Sequence, residues 1–228
     1  MLLWRNMDPP AADRSLPPLL LVLTASTGLV DAVSYLALGH VFTANMTGNV
    51  VFLGFAVAEV PGLSIPRSAA ALVAFLAGAV VGGRLAAGTG PRHRWASAGF
   101  GIEAVLLLAA AAAAWGAGGG LLADSLRLYA LIALTGIAMG VRNSVVRKLG
   151  ERDLTTTVLT LTITGIAADS SLAGGANPGW PRRTASVVLM FAGALIGAWL
   201  LRFSLWLPLA VSGVIVAIAA VRARSSPS

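Results

Sequence analysis

The sequence contains no cysteine and only two histidines, and few of its residues carry charge. Without cysteine, a disulfide framework and a thiolate-bound metal or iron–sulfur centre are excluded. His40 and His93 are too few for a histidine metal cluster, so we expect no metal and no cofactor. Charged residues make up 11% of the chain, whereas soluble domains carry about 25%. This composition excludes a soluble globular domain.

Apolar residues are abundant instead. They make up 57% of the 228 residues, with a mean hydropathy of +0.84, which also excludes intrinsic disorder. A helix needs about 20 apolar residues to cross a bilayer core of roughly 30 Å. Six segments meet this requirement, at residues 17–39, 67–88, 95–116, 126–146, 184–202 and 204–222. The sequence therefore predicts an all-α polytopic membrane protein with the lipid bilayer as its first partner.

Two further apolar segments, 42–58 and 154–170, are polar at one end and either span or re-enter. If both re-enter, Arg67, Arg127 and Arg202 lie on one side, and the other thirteen of the 16 basic residues lie with the N-terminus. If both span, the basic residues divide evenly. Because cytoplasmic loops are rich in Lys and Arg, the first arrangement is favoured, with both termini cytoplasmic. The net charge of +7 is thus assigned to membrane orientation rather than to nucleic acid.

The two halves of the chain resemble each other in three places in the same order. The matching segments are 28–32 with 140–144, 43–47 with 156–160, and 75–82 with 190–197. We predict one membrane domain divided into a tail (1–16), repeat 1 (17–116), a connecting loop (117–125), repeat 2 (126–222) and a second tail (223–228). Three spans per repeat is an odd number, so the second repeat is expected to be inverted, with a polar site near the bilayer midplane.

Glycines spaced by four residues, Gly78 with Gly82 and Gly193 with Gly197, allow helices to approach closely. Two interpretations stay open: packing between helices of one chain, or a face for a homo-oligomer.

Three stretches of the first half, residues 27–36, 39–42 and 44–49, resemble the bacterial YoaK family, also called UPF0700 or DUF1275. The resemblance extends over nearly the whole chain. In the second half the family usually has Gln where this chain has Arg142, and it tends to repeat Met-Thr-Gly where this chain has Leu159-Thr160-Leu161. The resemblance implies a multi-spanning protein of the bacterial inner membrane. It implies no established activity.

Asp31 lies about fifteen residues into the first span, where a charged side chain costs about 2.5–3.5 kcal/mol. It is either a proton, cation or substrate site, or a buried hydrogen-bonding residue that ties helices together. Ser34 follows by one turn on the same side. The repeat equivalent of Val30-Asp31 is Arg142-Asn143, so an Asp31–Arg142 ion pair is one hypothesis. The nearby basic residues favour the other, in which Arg142 orients the end of its helix.

The second group of candidates lies where the two short segments begin. Asn45, Thr47, Gly48 and Asn49 either bind a cation or small polar solute at a helix break or cap a helix. Thr156, Thr160 and Thr164 are spaced by four residues, so we expect them on one helical face. There they either line a polar path or hydrogen-bond to their own helix.

Glu103 is the other acid inside an apolar run, and we expect it to pair with Arg84, to line the same cavity, or to be a lone protonated acid. No nucleophile elbow or phosphate-binding loop accompanies these residues, so no enzyme is predicted. The sequence favours a small transporter or channel-like permease for an unidentified solute or ion. The alternative is a membrane scaffold or regulatory subunit that transports nothing.

Overall fold

The computed structural model describes residues 16–88, 90–117, 125–150, 156–157 and 159–225. Within these ranges every regular element is helical, which confirms the all-α fold. The helices are α1 (Leu16–Ala37), α2 (Met46–Val57), α3 (Ile65–Ala86), α4 (Arg92–Ala113), α5 (Ser125–Leu149), α6 (Thr160–Ala168), α7 (Trp180–Leu200) and α8 (Trp206–Ser225), with a 3-10 turn at Ser171–Ala173. Most of the two predicted tails, most of the connecting loop, and residues 154, 155 and 158 of segment 154–170 lie outside the described residues.

In the described part of the chain, six helices are long and apolar enough to cross a membrane: α1, α3, α4, α5, α7 and α8. They coincide with the six predicted spans. Where the structure describes the two ambiguous segments, their helices are α2, with 12 residues, and α6, with 9 residues. At 1.5 Å per residue these helices are about 18 Å and 14 Å long, too short to cross a core of about 30 Å.

The closest helix contacts join glycine to backbone between parallel helices. Between α1 and α7, Ala25 contacts Gly193 and Leu29 contacts Gly197. Between α3 and α5, Gly78 contacts Ile137 and Gly82 contacts Val141. A Cβ at any of these glycines would meet the backbone of the facing helix at less than van der Waals distance. The spaced glycines therefore serve packing within one chain, as the first of the two interpretations held. A homo-oligomer stays a prediction.

The remaining packing is antiparallel, and the whole pattern has two-fold character. The helix α4 packs along α8, α4 along α5, and α8 along α1. Exchanging α1 with α5, α3 with α7, and α4 with α8 maps the α4–α5 pair onto α8–α1, the α4–α8 pair onto itself, and each glycine contact onto another. Helices that exchange run in opposite directions. The arrangement is consistent with the predicted inverted repeat.

Apolar side chains fill both ends of the bundle and cover its outside. One buried cluster surrounds Leu20, Phe100 and Leu149, and the other surrounds Leu38 and Leu131. Large apolar side chains also project outward from α3 and α7; examples are Val73, Leu76, Val188, Phe191 and Leu195, each more than half exposed. Outward apolar faces suit a chain whose solvent is lipid.

Candidate functional site

A buried arginine lies near the middle of the bundle. Arg142 of α5 is 0% exposed and forms an ion pair with Glu103 of α4, which is also 0% exposed. Its guanidinium donates hydrogen bonds to the Leu23 carbonyl oxygen (2.8 Å), Thr27 Oγ1 (2.6 Å) and Ser26 Oγ (2.9 Å). A charge removed from water needs such partners, because otherwise it costs several kcal/mol. The ion pair is therefore embedded in a polar network.

A serine pair extends the network to a fourth helix, because Ser26 Oγ lies 2.7 Å from Ser212 Oγ of α8. We call Ser26, Thr27, Glu103, Arg142 and Ser212 the Arg142 cluster. It joins α1, α4, α5 and α8, and all five members are buried. Ser26, Thr27 and Ser212 were not among the predicted site residues. Their only signal in the sequence is that each is a hydroxyl inside an apolar run.

Three predictions about charge pairing are wrong. Arg142 does not orient the end of its helix, because α5 continues for seven residues to Leu149 and buries the guanidinium completely. Glu103 does not pair with Arg84, which is exposed on α3. Arg142 pairs with Glu103 rather than with Asp31, since α4 crosses α5 where these two side chains face each other.

Asp31 itself lies beside the break between α1 and α2. The residue is half-buried, and its Oδ1 atom is buried without a hydrogen-bond partner. The carboxylate receives a hydrogen bond from the backbone of Ala44 and lies within electrostatic range of Arg142. Ser34 is fully buried and donates to the Asp31 backbone carbonyl (3.2 Å), so its hydroxyl serves its own helix. Asp31 is thus a carboxylate with no contact ion pair.

The Asn49 side chain holds the loop between α1 and α2 by hydrogen bonds to backbone groups of the loop. Asn49 accepts a hydrogen bond from the Phe42 backbone N–H (2.9 Å) and donates one to the Phe42 carbonyl oxygen. Gly48 packs against the Phe42 ring, and a Cβ at this glycine would lie 2.8 Å from Phe42 Cδ2. Asn45 precedes α2 without a side-chain capping bond, and Thr47 is exposed. Asn49 therefore fixes the loop, and capping by Asn45 is not observed.

The second half contains the equivalent arrangement with different chemistry. Asn143 Oδ1 accepts a hydrogen bond from Thr157 Oγ1 (2.7 Å), and Asn143 Nδ2 donates to the Met139 carbonyl oxygen (2.9 Å). In repeat terms Asn143 corresponds to Asp31, and Thr157 corresponds to Ala44. The amide at this position is satisfied by the protein, whereas the carboxylate in the first half is not.

The predicted threonine face is wrong for Thr156. The helix α6 begins at Thr160, which is exposed, and Thr156 precedes it with a φ of 60° and is buried. A left-handed residue interrupts the helical spacing, so Thr156 and Thr160 point to different surroundings.

An open groove of about 320 Å³ lies elsewhere, between the start of α1 and the end of α8. Its lining includes Leu19, Val22, Ile218 and Arg222, and none of the predicted site residues. The groove is on the outer surface near the opposite end of α1 from Asp31.

Comparisons with known proteins agree with the resemblance read from residues 27–49. Residues 19–222 match a family model described as "Protein of unknown function (DUF1275)". A relative from Bacillus subtilis (strain 168), named UPF0700 transmembrane protein YoaK, is 34% identical over 156 residues. That match covers 67% of this chain and 66% of the relative, just under two thirds of the relative's length. No solved structure matches the chain.

Proposed function

From the premise that this chain is a multi-pass membrane protein of the DUF1275 family, we propose that it is a permease for a small solute or ion in the bacterial inner membrane. The observation that carries the proposal is the buried, unpartnered Oδ1 of Asp31. An acid inside a span is expensive and is usually part of a pathway or paired with another group. Among the described residues, the arginine in its electrostatic range, Arg142, already forms an ion pair with Glu103.

The surroundings of Asp31 support a path rather than a structural role. A residue that only ties helices together has its polar atoms satisfied, as Asn143 has in the equivalent position. Non-helical backbone at membrane depth is tolerated where it is buried in protein or lines a wet cavity. The break before α2 places such backbone beside the carboxylate. A solute or ion that reached it would supply the missing partner.

The opposed directions of equivalent helices give the proposal its access mechanism. In an inverted repeat the two short helices enter from opposite faces, and a site between them is reached from each side in turn. Both termini are then cytoplasmic, in agreement with the basic residues near the start of α4 and the end of α5. The bilayer and a small solute are the proposed partners, and neither nucleic acid binding nor catalysis is part of the proposal.

Flux through proteoliposomes tests the proposal. We expect at least one of a panel of probes, comprising glycerol, urea, sodium, potassium and protons, to cross faster than in protein-free liposomes. Asp31→Asn should reduce that flux at least about tenfold, whereas Glu59→Gln, which neutralises an exposed loop acid, should leave it unchanged. If every probe crosses at the protein-free rate, or if Asp31→Asn retains full flux, the proposal is wrong.

The Arg142 cluster favours a second candidate function, a scaffold that transports nothing. A fully buried network joining four helices stabilises a bundle without needing a path. The scaffold predicts a folded, monodisperse protein without flux for any probe.

A further inference from the structure

We propose that Asp31 and Thr43 form a binding site for one alkali metal cation at the break between α1 and α2. The inference rests on the proposed permease function, in which the bound ion would be either the transported ion or the coupling ion. Binding itself can be measured without any flux.

Two buried oxygen atoms without partners lie beside this break. Asp31 Oδ1 and Thr43 Oγ1 both lack a hydrogen bond, and Thr43 is 0% exposed. The Ala44 backbone that holds the Asp31 carboxylate is bonded directly to Thr43. By covalent geometry Thr43 Oγ1 lies within about 5 Å of the Ala44 nitrogen. The Asp31 carboxyl group and the Thr43 hydroxyl therefore both lie near the Ala44 N–H group, and each has a buried oxygen atom that the protein leaves unsatisfied.

Helix α1 ends beside this break. The last carbonyl groups of a helix have no partner within it and carry partial negative charge. At the end of α1 the Tyr35 carbonyl oxygen accepts from the His40 N–H (3.2 Å), and the chain turns at once into the 38–45 break. A carboxylate, a hydroxyl and backbone carbonyls are a ligand set for a hard cation.

Charge balance selects a monovalent ion. Glu103 and Arg142 neutralise each other within their pair, so Asp31, when ionised, leaves one negative charge in excess. A monovalent cation neutralises it, whereas a divalent cation would leave a buried positive charge of one. Within the described residues no three His, Cys, Asp or Glu side chains form a metal-binding group. A transition-metal site is therefore not what these ligands build.

The second half shows what the same position does without the charge. Asn143 is neutral and already bonded to Thr157 and Met139. Thr156, the equivalent of Thr43, is also buried without a partner, but the position equivalent to Asp31 holds the amide of Asn143 there. The structure thus favours one cation site per chain, in the first half.

Binding of ²²Na⁺ to the purified full-length protein in detergent tests the site. We expect saturable binding that excess sodium or potassium chloride displaces and choline chloride does not. Asp31→Asn should abolish it, and Thr43→Val should raise the half-saturating concentration about tenfold, equivalent to about 1.4 kcal/mol. Thr135→Val is the matched control, because Thr135 is equally buried but donates to the Leu131 carbonyl of its own helix (2.6 Å). It should bind like the unmodified protein.

Several outcomes would overturn the inference: no saturable ²²Na⁺ binding, binding that Asp31→Asn retains, or an equal loss in Thr43→Val and Thr135→Val. If Asp31→Asn does not elute as a folded protein, Thr43→Val and its control decide alone. Flux without sodium binding would refute the cation site and keep the permease. Sodium binding without flux would refute the permease and keep the cation site.

Discussion

The ion pair between Glu103 and Arg142 predicts a strong dependence of each residue on the other. Glu103→Gln removes the charge and keeps the shape, and it leaves the guanidinium with three neutral acceptors on α1. Arg142→Gln leaves a fully buried carboxylate without its ion-pair partner. Breaking a buried pair from one side costs about 3–5 kcal/mol. We place Glu103→Gln near the lower end and Arg142→Gln near the upper end.

The double variant removes both charges, so it should be more stable than the sum of the single losses predicts. We expect a coupling energy of at least about 3 kcal/mol. Unfolding in mixed detergent–SDS micelles, followed by the fluorescence of the six tryptophans, gives the three free energies. Glu59→Gln controls for loss of an acid on the surface. Additive losses, or a loss below about 1 kcal/mol in either single variant, would refute the reasoning.

Two further predictions concern packing and orientation. Gly78→Ala places a Cβ against the Ile137 carbonyl and should lower the unfolding free energy by about 1–3 kcal/mol. Its control on the same helix is Gly83→Ala, whose Cβ meets nothing within 4 Å and which should raise the unfolding free energy by up to about 1 kcal/mol. Equal effects of the two variants would contradict the contact. Cysteines placed at Pro61 and Pro178 in this cysteine-free chain should react with an impermeant maleimide from opposite sides of the membrane, and labelling of both from one side would rule out the inverted repeat.

The spans could be predicted from the sequence because each is a local property of about 20 consecutive residues. The ends were less certain; α5 runs to Leu149, whereas the apolar run suggested 146. Thr156 departs from the predicted threonine face because it adopts a left-handed backbone conformation, which helical spacing does not anticipate. The short helices α2 and α6 depend on where the breaks fall, so their apolar segments alone left both outcomes open.

The charge pairing could not be predicted for a different reason. Arg142 has basic neighbours in sequence, Arg147 and Lys148, and its partner Glu103 lies on another helix. Which acid it meets depends on how α4 crosses α5, and no local pattern encodes that crossing. Asp31 was identifiable as an acid in a span, but the absence of a partner for its Oδ1 appears only once the bundle is assembled.

The glycine contacts have a consequence for motion and for dissection of the chain. The tightest helix interfaces join α1 to α7 and α3 to α5, so each interface combines one helix from the first half with one from the second. Cutting the chain at the connection after α4 would strip both halves of their backbone-to-backbone neighbours. Any rearrangement that preserves these two interfaces must move α1 together with α7, and α3 together with α5, as units that combine helices of both halves.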